Sequence, residues 1–323
     1  MIRNITLHNG QILVRDGLPP ADEATSPFVW LDVSRPTEVE LAEIRGRYGI
    51  SPRSDAPGVL EEGDYLFVRT LLAAPRAGHD PDFHPVTFIL GGSLVASFSA
   101  EPYAPFELAL QRMQRRPRQV DGPRDVLRRL LQAANDASTL AVEQLADALT
   151  LSSERITQLS TGYNEAGQEL GVSDLTDTML ELNEREDVLT QFIEAQLTLH
   201  RAVRYLSGEV DHKTEADLQQ LVHELLEDVR GTKEHAAFEH EKVRYLQNAV
   251  TNILNIKQNQ IVKVFTIITA VFLPPTLVGT FYGMNFSVMP ELSWEHGFTY
   301  SMLLTLLSAV LPLIYIKRRG WLR

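Results

Sequence analysis

The sequence predicts an N-terminal α/β domain, a long helical bundle with a stalk helix, and two C-terminal transmembrane helices. Short β-rich runs fill the first third of the 323 residues, and long stretches poor in glycine and proline follow. Two uncharged apolar runs lie near the C-terminal end. The expected parts are the α/β domain at 1–122, the bundle at 123–212, a stalk helix continuing into the first span at 213–281, an outer loop at 282–297, and the second span with a basic tail at 298–323.

Composition and charge exclude several classes of function. With 42 acidic and 30 basic residues the formal charge is −12, which argues against nucleic-acid binding because nucleic-acid readers carry a basic face. The sequence contains no cysteine, so disulfides, iron–sulfur clusters, cysteine-ligated zinc sites and thiol nucleophiles are excluded. Residues 1–256 carry a net charge of −16 and the remainder +4. The N-terminus lacks the apolar stretch of a signal peptide.

The α/β part is predicted from short β-rich runs around one helix. Residues 36–48 predict a helix opened by Pro36 in its first turn, and the Gly91-Gly92 pair predicts a hairpin. None of the GxGxxG, GxxxxGK[ST] or GxSxG motifs is present, and no catalytic constellation is visible, so we do not expect an enzyme. The expected strands are Thr6–Val14, Phe28–Val33, Tyr65–Leu72, Val86–Leu90 and Leu94–Phe98.

Three long helices are predicted after residue 122: 123–160, 175–207, and one starting near Lys213. The last has a single glycine, Gly231, before Gly279 and no proline before Pro274, so it is expected to run about 100 Å to Phe281. Its periodicity is typical of a coiled coil and suits packing in an oligomer. The alternative is packing against the two preceding helices, and both can hold on different faces of the helix. The repeating positions are Val222, Val229, Ala236, Val243 and Val250, with Leu246 and Ile253 adding a second position.

The two uncharged runs predict a membrane hairpin. Val264–Phe281 has 18 residues and Phe298–Ile316 has 19, which suffices for a hydrocarbon core of about 30 Å. The loop between them carries Glu291 and Glu295 and no basic residue, so the positive-inside rule places both termini and the acidic region in the cytoplasm. The basic residues that flank the spans are Lys257, Lys263, Lys317, Arg318, Arg319 and Arg323.

Polar residues of the first span fall on one side of the predicted helix. Thr266, Thr269, Thr276 and Thr280 lie within an arc of about 80°. Threonine hydroxyls can also bond to their own backbone and mark a helix-packing face. The one-sided stripe favours a water-facing wall, and because one helix cannot enclose a pore, this interpretation requires an oligomer. On or beside the same stripe lie Asn259, Val262 and Leu273, and the Pro274-Pro275 pair predicts a kink.

Three motifs stand out between Asn255 and the C-terminus. They are Tyr282-Gly283-Met284-Asn285-Phe286 with the following Met289-Pro290-Glu291-Leu292, Phe272-Leu273-Pro274-Pro275-Thr276, and the tail Lys317-Arg318-Arg319-Gly320-Trp321-Leu322. This part of the chain resembles the CorA family of magnesium and cobalt transporters. The resemblance covers about the last 70 residues, and the preceding part matches in layout alone.

The resemblance implies a homopentameric metal ion channel in the cell inner membrane, with the first spans lining one central pore. It would carry Mg²⁺, Co²⁺ and Ni²⁺ inward, driven by the membrane potential and gated by cytosolic Mg²⁺, with no bound cofactor. By carry-over, the selectivity loop is Gly283, Met284 and Asn285. The pore-lining positions are Asn259, Val262, Phe265, Thr269, Leu273, Thr276 and Thr280, of which Val262, Leu273 and Phe265 would be constrictions.

Some family features do not carry over directly. Many relatives place Glu after Gly-Met-Asn-Phe, where this chain has Ser287, so an acidic ring at the mouth rests on Glu291 and Glu295. A related zinc-transporting branch shares the architecture and is the nearest alternative function. A membrane-anchored enzyme or scaffold is a second alternative. Candidate carboxylates for the family's cytosolic magnesium sensor are Glu224, Glu227 and Asp228 on the stalk and Asp80 and Asp82 in the α/β part.

Overall fold

The computed structural model describes residues 1–20, 26–52, 58–76, 79–161, 171–211, 214–285, 287 and 289–320. The chain divides into two compact units. The first comprises Met1–Thr157 and Asp177–Gln247, and the second comprises Gln158–Thr176 and Asn248–Arg323.

The first unit contains a seven-stranded sheet in the order β2-β1-β3-β7-β6-β5-β4. All neighbouring strands are antiparallel except β3 and β7, which pair in parallel. The strands are β1 Ile2–His8, β2 Gln11–Asp16, β3 Val29–Ser34, β4 Val59–Glu62, β5 Tyr65–Arg76, β6 His79–Gly91 and β7 Leu94–Ser99. The helices of the chain are α1 Glu38–Tyr48, α2 Pro105–Arg115, α3 Pro123–Thr161, α4 Val172–Glu209, α5 Ala216–Tyr282 and α6 Gly297–Arg318, with 3₁₀ turns at Pro117–Gln119 and Pro290–Ser293.

Two details of the predicted α/β part are wrong. The single run Thr6–Val14 is a hairpin of β1 and β2, whose two-residue turn is Asn9-Gly10 with φ of 50° and 76°. Such turns need positive φ at both positions, which Asn and Gly tolerate best. Helix α1 is opened by Thr37 and not by Pro36. The Thr37 hydroxyl accepts from the Glu40 amide while the Glu40 carboxylate accepts from the Thr37 amide, which makes a capping box.

The Gly91-Gly92 hairpin is confirmed, since β6 and β7 pair antiparallel with Gly91 opposite Leu94. Gly92 has a φ of 53°, in the left-handed region that favours glycine. A Cβ atom on Gly91 would collide with the Tyr65 ring and the Asp64 carbonyl. Strand β4 and helix α2 were not predicted, because β4 has four residues and α2 follows the sheet without a strong start signal.

A buried polar network joins three strands of the sheet. Arg3 on β1 lies 2.5 Å from the Asp32 carboxylate on β3 and also pairs with Glu107 on α2. Ser97 on β7 donates to Asp32 at 3.0 Å, and the Trp30 indole N–H donates to Ser97 at 3.0 Å. Asp32 therefore satisfies both a partly buried guanidinium and a buried hydroxyl.

We expect Asp32→Ala to lower the free energy of unfolding by about 2 kcal/mol, because it leaves the buried Ser97 hydroxyl without its acceptor and removes one of the two carboxylates that pair with Arg3. Chemical unfolding of the full-length protein in detergent, followed by tryptophan fluorescence, measures the change. The matched control is Arg35→Ala, which removes an exposed ion pair with Glu101 at 3.0 Å and should cost less than about 1 kcal/mol. If the two variants lost equal free energy of unfolding, the buried polar network would stabilise the fold no more than an exposed ion pair does.

The heptad predicted on the last helix packs inside the chain. Val222, Val229, Ala236, Val243 and Val250 are all fully buried in a single copy. Val222 and Val229 belong to one hydrophobic cluster that also contains residues of α3 and α4, such as Leu127 and Leu199. The intramolecular alternative is therefore the correct one for these positions. They are not available for contacts between copies.

Candidate functional site

Helix α5 extends without interruption from Ala216 to Tyr282, with Pro274 and Pro275 inside it. Within the described part of the chain, α5 and α6 are the two helices that are long and apolar enough to cross a membrane, as the sequence predicts. Within the apolar stretch of α5 no residue is buried in a single copy, and within that of α6 the buried share is 6%. The apolar surface of both helices is thus left for lipid or for other copies.

The threonines of the α5 stripe all bond back to their own helix. Thr266 Oγ1 donates to the Val262 carbonyl at 2.7 Å, and Thr269, Thr276 and Thr280 make the same bond to the residue four positions earlier at 2.7–2.8 Å. Each hydroxyl hydrogen is therefore committed to the backbone, whereas the oxygen of each exposed side chain can still accept a hydrogen bond. The surface of the stripe is therefore polar, and the groups that it presents to a neighbouring molecule are mainly hydrogen-bond acceptors.

The other predicted pore-lining residues lie on the same helix and are exposed in a single copy. Val262, Phe265 and Leu273 are 62%, 66% and 65% exposed. Asn259 is also exposed, four residues before Lys263. Helix α5 therefore carries all the predicted pore-lining residues, with three exposed apolar side chains, Val262, Phe265 and Leu273, among the threonine and asparagine oxygens.

The predicted loop begins where α5 ends. The Gly283 amide donates to the Gly279 carbonyl at 3.0 Å and to the Thr280 carbonyl at 3.2 Å. A Cβ atom on Gly283 would lie only 3.2 Å from the Gly279 oxygen, so the close turn favours glycine. Met284 and Asn285 follow and are exposed. The turn therefore presents the Asn285 amide just beyond the last turn of α5.

The second half of the loop is held against the start of α6. Residues Pro290–Ser293 form a 3₁₀ turn, and the rings of Trp294 and Tyr300 lie 5.6 Å apart. The buried Gly297 leaves space that the Glu291 carbonyl occupies, so an added Cβ would clash there. Glu291 is half-buried and Glu295 is exposed. Gly297 is not among the predicted site residues, although a glycine directly before an apolar run is a signal that the sequence offers.

The proposed sensor carboxylates do not form a metal site within one chain. Glu224, Glu227 and Asp228 are exposed on α5, where Glu224 accepts from Gln220 at 3.0 Å and Glu227 lies 3.6 Å from Arg230. Asp80 and Asp82 are exposed on β6, and Asp82 lies 3.5 Å from Arg76. Among the described residues no group of three or more His, Asp or Glu side chains is placed to hold a metal ion. A sensor built from these residues needs carboxylates from more than one copy.

Comparison with known proteins identifies the family. Residues 26–318 match the family model described as CorA-like Mg²⁺ transporter protein. The chain belongs to this family. Its members are transporters, in agreement with the absence of enzyme motifs from the sequence.

Curated relatives match the CorA-like chain over its whole length. The magnesium transport protein CorA of Haemophilus ducreyi is 26% identical and that of Yersinia pseudotuberculosis 29%, each over 100% of both chains. Among solved structures, the complete CorA magnesium transporter from Methanocaldococcus jannaschii superposes with a TM-score of 0.77 over 99% of this chain and 98% of that one, at 17% identity. The structural likeness confirms the fold class predicted from the sequence: an α/β domain, a long helix and two C-terminal apolar helices.

Proposed function

We propose that this CorA-like chain carries Mg²⁺ into the cytoplasm across the cell inner membrane, through a path enclosed by the α5 helices of five copies. The observation that carries the proposal is the one-sided stripe of acceptor oxygens on α5, which leads directly to the Gly283–Asn285 turn. The choice of Mg²⁺ as the ion follows from the curated relatives, which are named as magnesium transport proteins. Co²⁺ and Ni²⁺ are further proposed cargo, since hydroxyl and amide oxygens also accept from their water shells.

The chemistry of the stripe suits an ion that keeps its water. Mg²⁺ dehydrates reluctantly, so its bound water hydrogens point outward and need acceptors. Threonine oxygens whose own hydrogens are committed to the backbone supply acceptors without competing donors. Asn285 of each copy adds an amide oxygen at the outer mouth, and Glu291 and Glu295 raise the local concentration of cations there. Val262, Phe265 and Leu273 narrow the path with side chains that bind no ion.

The driving force is the membrane potential, because the sequence contains none of the usual nucleotide motifs. A potential of 100 mV, negative inside, is worth about 4.6 kcal/mol for a divalent ion. The basic residues that flank both spans orient the loop outward and both termini inward.

The stripe requires assembly into an oligomer, and the number of five copies follows from the resemblance to the CorA family. The valine heptad gives no further support, because it is buried within one chain. We expect native mass measurement of the detergent-solubilised protein to give five copies. Alanine substitution at Leu221, which is exposed on α5, serves as a control that leaves the count unchanged. A population of monomers and dimers alone would contradict a path enclosed by five helices.

Ion flux into proteoliposomes tests the proposed cargo. With a potassium diffusion potential negative inside, Mg²⁺ uptake is expected to exceed that of protein-free vesicles and to fall as the potential is removed. Parallel measurements with Co²⁺, Ni²⁺ and Zn²⁺ rank the ions. Uptake of Zn²⁺ without Mg²⁺ would favour the zinc-transporting alternative and contradict this proposal.

A further inference from the structure

Helix α5 carries a second heptad, which lies on the outside of the chain. Every seventh residue from Gly231 to Thr280 is exposed, whereas every seventh residue from Val222 to Val250 is buried. We call the exposed set the outer heptad. It consists of Gly231, Phe238, Tyr245, Asn252, Asn259, Thr266, Leu273 and Thr280.

Two members of the outer heptad are aromatic residues left bare in a single copy. Phe238 is 66% exposed and Tyr245 is 72% exposed, one heptad apart on the same helix face. The charged residues beside them are paired along the helix: Arg230 lies 3.6 Å from Glu227 and 3.4 Å from Glu234, and Arg244 lies 3.3 Å from Glu241. The aromatic pair therefore forms an apolar strip between charges that are already paired.

The phase of the outer heptad links this strip to the proposed ion path. Asn259, Leu273 and Thr280 are shared by the outer heptad and the predicted pore-lining set. On a straight helix, residues spaced seven apart rotate around the helix axis by about 20° per heptad. When several helices wind around one another in a left-handed supercoil, this rotation is compensated, and the residues of the repeat all face the common axis. Tyr245 precedes Asn259 by two heptads, about 21 Å along the helix.

We propose that Phe238 and Tyr245 of the assembled copies face the common axis and form an aromatic constriction in the cytosolic part of the ion path. The occupant of this face is a second copy of the same chain, because the same heptad continues into the stripe that has to be shared between copies. The inference rests on the proposed function, since it requires assembly around α5. Rings of apolar side chains gate ion passage by excluding water when they are narrow.

The cysteine-free sequence allows a direct test by cross-linking. Phe238→Cys and Tyr245→Cys are each introduced alone into the full-length protein, and membranes are oxidised with copper-phenanthroline. Both variants are expected to give disulfide-linked dimers in denaturing gels. The matched control is Ala237→Cys, which is exposed on the same helix about 100° away from Phe238 and should stay monomeric. In a third variant, Leu273→Cys, disulfide cross-linking shows separately whether the membrane-spanning parts of α5 from different copies lie together.

The outcomes separate this inference from the proposed function. Cross-linking of Leu273→Cys without cross-linking at positions 238 and 245 overturns the aromatic constriction and leaves the proposed path standing. Failure at all three positions, with a monomeric native mass, overturns both. Cross-linking of Ala237→Cys as fast as that of Phe238→Cys shows that this face is not specific and also overturns the constriction.

A flux measurement tests whether the ring lies on the path. The double variant Phe238→Ala, Tyr245→Ala is expected to raise Mg²⁺ uptake at high internal Mg²⁺ by about twofold or more, because a wider apolar ring stays hydrated. Unchanged uptake in protein that assembles normally would exclude the aromatic pair from the ion path.

Discussion

Replacing Asn285 with alanine is expected to remove at least about nine-tenths of Mg²⁺ uptake while leaving the folded protein intact. The side chain is exposed beyond the end of α5, so its loss creates no cavity and leaves no buried group unpaired. In the proposed path, however, each copy contributes this amide to the point where the hydrated ion enters. A tenfold loss of uptake corresponds to about 1.4 kcal/mol of interaction energy with the ion. A ring of amide oxygens that contact the water shell of the ion can supply this energy.

The measurement compares initial Mg²⁺ uptake and unfolding midpoint for the variant and the parent in the same vesicles and detergent. Ser287→Ala is the matched control, because Ser287 is exposed in the same loop and has no proposed role. Its uptake should equal that of the parent. Parental uptake by the Asn285→Ala protein would remove the amide from the selectivity mechanism, and a lowered unfolding midpoint would show instead that the loop had been disrupted.

The long elements of the fold could be predicted because their signals are local. No proline interrupts the chain between Lys213 and Phe281 except the Pro274-Pro275 pair, and helix α5 occupies Ala216–Tyr282. The Asn9-Gly10 turn was also marked locally, since Asn-Gly between apolar runs predicts a tight hairpin. The predicted single strand over Thr6–Val14 overlooks this turn, because β-rich residues flank it on both sides.

Burial could not be predicted from periodicity alone. The buried heptad from Val222 to Val250 and the aromatic residues of the outer heptad share a seven-residue spacing on one helix, yet Val229 is buried and Phe238 is exposed. The difference depends on α3 and α4, which cover one face of α5 and are distant in sequence. For the same reason the sequence favoured valine contacts between copies and overlooked Phe238 and Tyr245.

The positions of the threonines in the stripe could be predicted from the sequence, but their hydrogen bonds could not. An arc of threonines followed from the helical period, whereas the commitment of each hydroxyl to the carbonyl four residues earlier required coordinates. The regulatory carboxylates were less predictable still. Within one chain, Glu227 and Asp82 each lie beside an arginine, so their place in any shared metal site depends on the contacts between copies.

Regulation by internal Mg²⁺ is the second large effect that the sequence and the fold suggest. Residues 1–256 carry a net charge of −16, and three of their exposed carboxylates, Glu224, Glu227 and Asp228, lie on one short stretch of α5. Carboxylates of neighbouring copies repel one another unless cations lie between them. Bound Mg²⁺ would hold the copies in a closed ring, and its loss would loosen them. The same helix carries Val262 and Leu273, so a movement of α5 would reach the narrow part of the path.

The triple variant Glu224→Gln, Glu227→Gln, Asp228→Asn is therefore expected to keep conducting at internal Mg²⁺ concentrations that close the parent, with uptake raised severalfold. Neutral amides bind Mg²⁺ much more weakly than carboxylates, so the copies lose the Mg²⁺ bridges that hold the ring closed and keep the α5 contacts that assemble it. The measurement is Mg²⁺ influx into vesicles preloaded with increasing Mg²⁺. The control neutralises three other exposed carboxylates of α5, Asp217, Glu234 and Glu241, and so matches the change in charge. If both triple variants shift the inhibition equally, the response follows total charge. If the first variant is inhibited as strongly as the parent, Glu224, Glu227 and Asp228 are not the sensor.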